Sequence, residues 1–527
     1  VSSALLVAGT SSDAGKSVVV AGICRWLRRQ GISVAPFKAQ NMSLNAAVTA
    51  DGSEIGRAQA AQAAAAGVAP EAAMNPVLIK PTGEQGAQVV VMGRVLTHAS
   101  AAGYRELKDS LLPVVLDALE HLRSRFDVVI CEGAGGIAEI NLRGSDLANL
   151  GLARAASLPV VVVGDIDRGG VFASLFGSLA LLDRHDQALV RAFLVNKFRG
   201  DVDLLRPGVA ELERRTGRRV LGVLPWVRGL DLDAEDSLAL ETPRAAAPPP
   251  PGGAALRVAV VRLPRLSNFT DFDPLATEPG LEVRFTDSPT ELAAADLAVL
   301  PGTKATVADL AWVRSRGLDG VFVERARTGL PVLGICGGYQ MLGRCLDDAV
   351  ESGGGPVEGL GLLPVETVFE RDKVLARPRG VATAFGATRV EGYEIHHGRV
   401  RRHGGEPVFA ADGAGPEGCR NGVVVGTSWH GAFESDGFRR AFCSWLATVR
   451  GVRWIPGTAS FAEARERRLD LLGDLIARHV DEAALHRLID GSSLPAGTAG
   501  GSAGGAAAGG TDADGAELPV VVTGLAN

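Results

Sequence analysis

A basic excess, long apolar stretches and paired cysteines are all missing from this chain, and each gap removes a class of function. The formal net charge is −6, so no surplus of cations is available to neutralise phosphates, and a broad nucleic-acid surface is excluded. No uninterrupted apolar run approaches the roughly 18 residues a membrane span needs. The first residues enter a strand almost at once, without the charged start and cleavage site of a signal peptide. No membrane partner and no export are therefore expected. The six cysteines (24, 131, 336, 345, 419 and 443) are scattered and form no C-x-x-C pair, which points to reduced thiols in a cytoplasm rather than a disulfide framework or zinc site. Lysine is scarce too: seven of the 54 basic residues, at 16, 38, 80, 108, 197, 304 and 373. Where arginine covers the surface, a retained lysine marks a place for a compact ammonium, although GC-rich codon usage also thins lysines.

What is present is the composition of an ordinary soluble protein, 46% hydrophobic and 22% charged over 527 residues, with room for two or three cores. The stretch around Cys336 organises the rest. Leu330 to Ile335 reads as a buried strand, and Gly-Gly-Tyr-Gln-Met-Leu after Cys336 reads as the first turn of a helix. A cysteine at that junction sits at the open end of a sheet, where the helix N-terminus favours thiolate. Gly334, Gly337 and Gly338 let the backbone turn sharply and let a substrate come close. The base for such a nucleophile is His430, which follows the apolar run Val423 to Val425. A structural cysteine is the alternative, and the elbow placement argues against it. Leu297 to Leu300 and Pro301-Gly-Thr-Lys304 bring a backbone amide near the elbow, so Gly302 and Gly337 are candidates for an oxyanion hole, with Gln340 beside them.

The N-terminal part carries a second chemistry. Strand Ala4 to Ala8, the loop Gly9-Thr-Ser-Ser-Asp-Ala-Gly-Lys-Ser17 and the helix Val18 to Leu27 form a phosphate cradle. Thr10, Asp13, Ala14 and Gly15 line it, Lys16 neutralises phosphates, and Ser17 can ligate Mg²⁺. The strict P-loop pattern wants a glycine at Thr10; here Gly9 lies one residue earlier. Phe37-Lys-Ala-Gln-Asn-Met-Ser43 follows a strand end, where Lys38, Gln40 and Asn41 would face a ligand crevice or simply cap a loop. Glu54 reads equally as a helix-start acid or a metal ligand. Glu132, ending the strand Asp127 to Cys131, is placed to orient Mg²⁺ opposite the cradle. Asp146 is either a helix cap or a substrate contact. Adjacent His396 and His397 on a strand point to opposite faces, which favours a structural or interdomain role over a metal pair.

Three sets of residues carry a family resemblance. Gly-x-Cys336-Gly-Gly-x-Gln340 with the distant His430 resembles a class I (triad) glutamine amidotransferase, except that Ala432 stands where the family has its third member, Glu, and the nearest acid is Glu434. The displaced P-loop resembles the dethiobiotin synthetase and cobyrinate/cobyrate amidase group. Phe37 to Ser43 and Met74-Asn-Pro-Val-Leu-Ile-Lys-Pro81 are similar to the cobyric acid synthase family. The resemblance implies ATP and Mg²⁺ as cofactors and a corrinoid, glutamine and ATP as substrates. It also implies an adenine-edge contact from Asn196, a metal role for Glu54, and Lys80 facing substrate carboxylates. The expected activity is ATP-driven amidation of carboxylates by ammonia taken from glutamine. A cobyrinic acid a,c-diamide synthase is the alternative, and a partitioning-type P-loop ATPase the alternative from another class. The expected architecture is α/β: a P-loop domain with a parallel sheet over 1–243, a Pro/Gly linker over 244–255, and a flavodoxin-like amidotransferase domain over 256–490. The helix from Phe461 to Ile489 is expected to pack on that second domain, and a Gly/Ala/Ser-rich tail over 491–527 is expected to be disordered.

Overall fold

Near-continuous apolar strands, such as Ala-Leu-Leu-Val-Ala within Ser3–Gly9 and four valines in Val160–Asp165, must be covered on both faces, which is the condition of a parallel sheet between helices. The protein is described by a computed structural model over residues 3–83, 86–227, 244–245, 247–492 and 494; nearly all of the tail lies outside the described residues. The first sheet has six strands in the order Arg219–Pro225, Val190–Phe198, Val160–Asp165, Ser3–Gly9, Val128–Glu132, Val34–Phe37. Every neighbouring pair is parallel. The order reverses beside Ser3–Gly9, so the loop after that strand opens at a switch point, where ligands of open α/β sheets bind.

A second sheet runs Arg244–Ala245, Leu281–Thr286, Leu256–Val261, Leu297–Leu300, Val332–Ile335, Val424–Thr427, Cys419–Asn421, with only the two outer strands antiparallel. The strands that lead to Gly302, Cys336 and His430 are therefore side by side at its centre. The proline-rich linker is not a free spacer. Arg244–Ala245 adds to the edge of this sheet, and the amide of Gly280 donates to the Ala247 carbonyl at 2.8 Å.

The C-terminal helices overturn one expectation. Phe461–His479 leaves the second sheet and packs on Lys16–Arg29, the helix that follows the P-loop. Leu469, Leu472 and Ile476 share a core with Val19, Val20, Ile23 and Leu27. The two backbones come so close that a Cβ on Gly22 would lie 2.8 Å from Ile476 and 2.9 Å from the Leu472 carbonyl. Arg25 bonds Glu466 and Asp470, each at 2.8 Å, and Arg29 bonds Asp470 and Asp474. Helical periodicity announces a buried face; it does not say which partner buries it.

Between the sheets, strands Ala46–Val48, Val77–Pro81 and Gly86–Val91 meet the long strand Glu394–Arg402. Ala46, Val48, Leu78 and Val90 from one side form a small apolar core with Tyr393 and Ile395 from the other. The two α/β units thus share buried surface.

Candidate active site

Cys336 ends the central strand Val332–Ile335 and starts the short helix Gly337–Met341. Its backbone takes φ 50 and ψ −109, a conformation that costs a non-glycine residue about 1–3 kcal/mol and is held only by its surroundings. The clamps are visible: the Cys336 amide donates to Thr427 O at 2.8 Å, and its carbonyl accepts from Gln340 N at 3.0 Å. The elbow sits hard against the next strand, since a Cβ on Gly338 would come within 1.9 Å of the Leu300 carbonyl oxygen. Cys336 is 5% exposed and His430 1%.

The residue that orients His430 was not found from the sequence. Asp271 accepts from His430 Nδ1 at 2.7 Å with one carboxylate oxygen and from the Gly431 amide at 2.8 Å with the other. It stands on the short turn Phe269–Phe272 and is buried. Glu434, the nearest acid in sequence, points elsewhere and pairs with Arg57 of the first unit. Burial alone would strip the charge from His430, but Asp271 and the Cys336 sulfur outweigh it and push the imidazole up to about 10. A Cys–His–Asp group so arranged can attack an amide carbonyl with its sulfur and hand a proton to the departing nitrogen. Gly302 lies against the ring, so close that a Cβ there would be 2.9 Å from His430 Cε1. Gly337 abuts Thr303, and Thr306 donates to the Gln340 side-chain oxygen at 3.3 Å.

Lys16, Ser17 and Glu132 lie together beside the loop that follows Ser3–Gly9. Lys16 Nζ is cradled by the carbonyls of Ser11, Ser12 and Gly135 at 2.8–3.0 Å. Ser17 Oγ and Lys38 Nζ both donate to the same Glu132 oxygen at 2.8 Å, and Gln62 bonds the other. Burial would raise the Glu132 carboxyl; the Lys38 ammonium and these bonds hold it below the ordinary value. Gly15, at φ 92, tolerates no side chain, because a Cβ would strike Asn196.

The other candidates have partners within the protein. Both Glu54 oxygens are taken by ammonium groups, Lys80 and Lys373, each at 2.6 Å, so Glu54 does not join Ser17 and Glu132. Burial opposes its charge, and the two lysines overrule it. Lys80 is correspondingly committed to Glu54. Asn196 turns its amide nitrogen to the Ala14 carbonyl at 3.0 Å, supporting the loop from beneath. Asp13 accepts from Arg168 at 3.0 Å, while the Thr10 amide pairs with Val163 O. Asp146 accepts from the amides of Ala148, Asn149 and Gly151, each at 2.9 Å, which is the capping alternative. Gln40 accepts from Tyr104 at 2.7 Å and Asn41 donates to Gln59 at 2.8 Å. His396 and His397 bond the carbonyls of Gly398 and Glu370. His397 also reaches Gln88 of the first unit at 3.5 Å, in keeping with an interdomain role. Among the described residues no cluster of three or more His, Cys, Asp or Glu forms a metal-binding group.

The cavity beside Cys336 draws on both units. It is lined by Cys336, Gln340, Thr303 and Lys304 from the second unit and by Lys80 from the first. Across the same boundary, Ala46 N donates to Asn268 Oδ1 at 2.9 Å and Phe269 N to Asn45 Oδ1 at 3.2 Å.

Comparison with known proteins agrees with this layout. Residues 5–239 match the CobQ/CobB/MinD/ParA nucleotide binding domain and residues 257–438 the CobB/CobQ-like glutamine amidotransferase domain. The cobyric acid synthase of Frankia casuarinae is 58% identical over 518 residues, covering 94% of this chain and 98% of that protein. That of Streptomyces avermitilis is 57% identical over 502 residues, again covering 94% and 98%. A solved glutamine amidotransferase structure is 19% identical and covers 37% of this chain and 99% of its own, with a TM-score of 0.30. With a strained cysteine elbow, a Cys–His–Asp group, a phosphate cradle and this degree of identity, the chain belongs to the cobyric acid synthase family.

Proposed function

We propose that this chain amidates the b, d, e and g carboxylates of an adenosylcobyrinic acid a,c-diamide one after another, using ATP and ammonia released from glutamine. One observation carries the reading: the cavity beside Cys336 extends to Lys80 of the nucleotide-binding unit. A nitrogen freed at the sulfur therefore has a route that begins away from bulk water.

In the second unit the Cys336 thiolate attacks the γ-carbonyl of glutamine. The amides near Gly302 and Gly337 receive the oxyanion, and imidazolium His430 protonates the leaving nitrogen as the thioester forms. Asp271 acts through His430: it fixes the ring and stabilises its charge. Water then returns the enzyme and releases glutamate. In the first unit a carboxylate is too poor an electrophile to accept ammonia, so it must first become an acyl phosphate. Lys16 and the backbone amides of the P-loop hold the phosphates while the phosphoryl group moves. The donor chemistry fits a hard cation, since Ser17 Oγ and the Glu132 carboxylate meet at 2.8 Å beside the cradle. These two residues would hold Mg²⁺, which when bound supplies charge neutralisation on the phosphates. Lys38, bonded to Glu132, stands at the strand end where the substrate carboxylate would enter.

The test is to incubate the protein with ATP, glutamine and a corrinoid a,c-diamide and count amidations by mass. Cys336→Ala is expected to abolish amidation from glutamine while leaving amidation from concentrated ammonium salt. Loss of both would count against the division of labour.

A further inference from the structure

Lys304 and Glu351 face the cavity that holds Cys336. Both are largely buried, and among the described residues their charged ends hydrogen-bond only to each other. The other charges around the cavity are otherwise committed: Lys80 and Lys373 share Glu54, and His396 and His397 bond backbone carbonyls. Each member of the pair is presented on a fixed support. Lys304 follows Gly302 and Thr303, and its amide donates to the Arg265 carbonyl at 3.0 Å. Glu351 rides a tight turn in which the buried carboxylate of Asp348 accepts from the amides of Val350, Glu351 and Ser352.

We propose that Lys304 and Glu351 form the subsite for the amino-acid end of glutamine, Lys304 taking the α-carboxylate and Glu351 the α-ammonium. The inference rests on Cys336 being the glutaminase nucleophile. A buried ion pair resists opening unless each charge gains a new partner. Glutamine offers a carboxylate and an ammonium on one carbon, so it exchanges one pair for two. An amide lacking either charge leaves a buried ion uncompensated if it enters the subsite, so it gains no binding there. The pair thus selects α-amino acid amides for binding, while a small uncharged reagent reaches the Cys336 sulfur without opening it.

The test compares two alkylating reagents on the full-length protein, with labelling at Cys336 followed by mass. 6-Diazo-5-oxo-L-norleucine carries both α-groups; iodoacetamide carries neither. In Lys304→Met and Glu351→Gln the rate with the diazoketone is expected to fall about 100-fold, while the iodoacetamide rate stays within about twofold. Lys304→Arg is expected to recover much of the loss. Unchanged diazoketone rates, or a parallel fall with both reagents, would overturn the subsite. If the unaltered protein is not labelled at Cys336 by the diazoketone, the glutaminase reading fails and takes the subsite with it.

Discussion

His430 is buried between Asp271, Cys336 and the ring of Tyr393, which stacks on it at 5.4 Å. Its charged state is therefore a property of its neighbours rather than of the imidazole. This sets the sign of a pH effect. The folded-state value is raised to about 10 from 6.5, so the stabilisation is complete below the unfolded value and is lost as pH rises through about 10. In Asp271→Asn the histidine loses the anion that holds its proton. Glutamine-dependent kcat/KM is expected to fall about 100-fold or more, as when the orienting partner of a general acid–base is removed. The alkaline loss of stability near pH 10, read by thermal melts across pH, should shrink with it. A melt profile unchanged by the substitution would show that Asp271 does not hold the histidine charge. The residue could not be read from the sequence because it lies 159 positions before His430, on a turn with no motif of its own. Cys336 and Lys16 were legible because strand, turn and helix around each are contiguous in the chain, and Glu132 because it ends an apolar strand. Glu54 was misplaced for the same reason in reverse: a helix-start acid in a suggestive string gave no sign of the two lysines that claim it, one of them 319 positions away.

At the scale of elements, the turn that carries Asp271 does not stand on its own unit alone. Asn268, at φ 51, precedes it, and its side chain accepts from Ala46 N while Asn45 accepts from Phe269 N. Asn45 also follows closely on the Phe37 to Ser43 string, in which Lys38 bonds Glu132. The first unit thus braces the turn that carries the acid of the second. Asn45→Ala removes one bond of this clasp without touching either reactive centre. Amidation driven by glutamine is expected to fall several-fold, roughly the worth of one buried hydrogen bond of 1–2 kcal/mol, with amidation from ammonium salt little affected. Equal loss with both nitrogen sources would mean that the clasp serves folding alone. The strands were legible through their periodicity, and the elbow and cradle through their place between strand and helix. The pairing of elements between units has no such period, and it emerged only from packing.

For the molecule as a whole, the path of the chain is the informative feature. It builds a nucleotide-binding sheet, runs its linker along the edge of a second sheet, completes a glutaminase, and then returns to cover the helix behind the P-loop. Trp26 donates to Glu482 at 3.2 Å, and Leu472, Ile476 and Leu485 are part of the core that includes Val19 and Leu27. The first unit therefore finishes its own core with residues 461–489, made after the second unit is complete. Full burial of a leucine or isoleucine side chain is worth about 1.5–3 kcal/mol, so loss of several together would exceed much of a domain's net stability of about 5–15 kcal/mol. Two linked outcomes follow. A chain ending at residue 460 should yield an insoluble or weakly cooperative first unit, even though every P-loop residue is retained. A chain cut between Pro248 and Pro251 and expressed as two pieces should instead co-purify as one body, because the returning helices and the Asn45–Asn268 clasp hold the pieces without the linker. Separate elution of two folded pieces on a sizing column, each melting cooperatively, would show that the C-terminal helices are an ornament on the first unit rather than part of it.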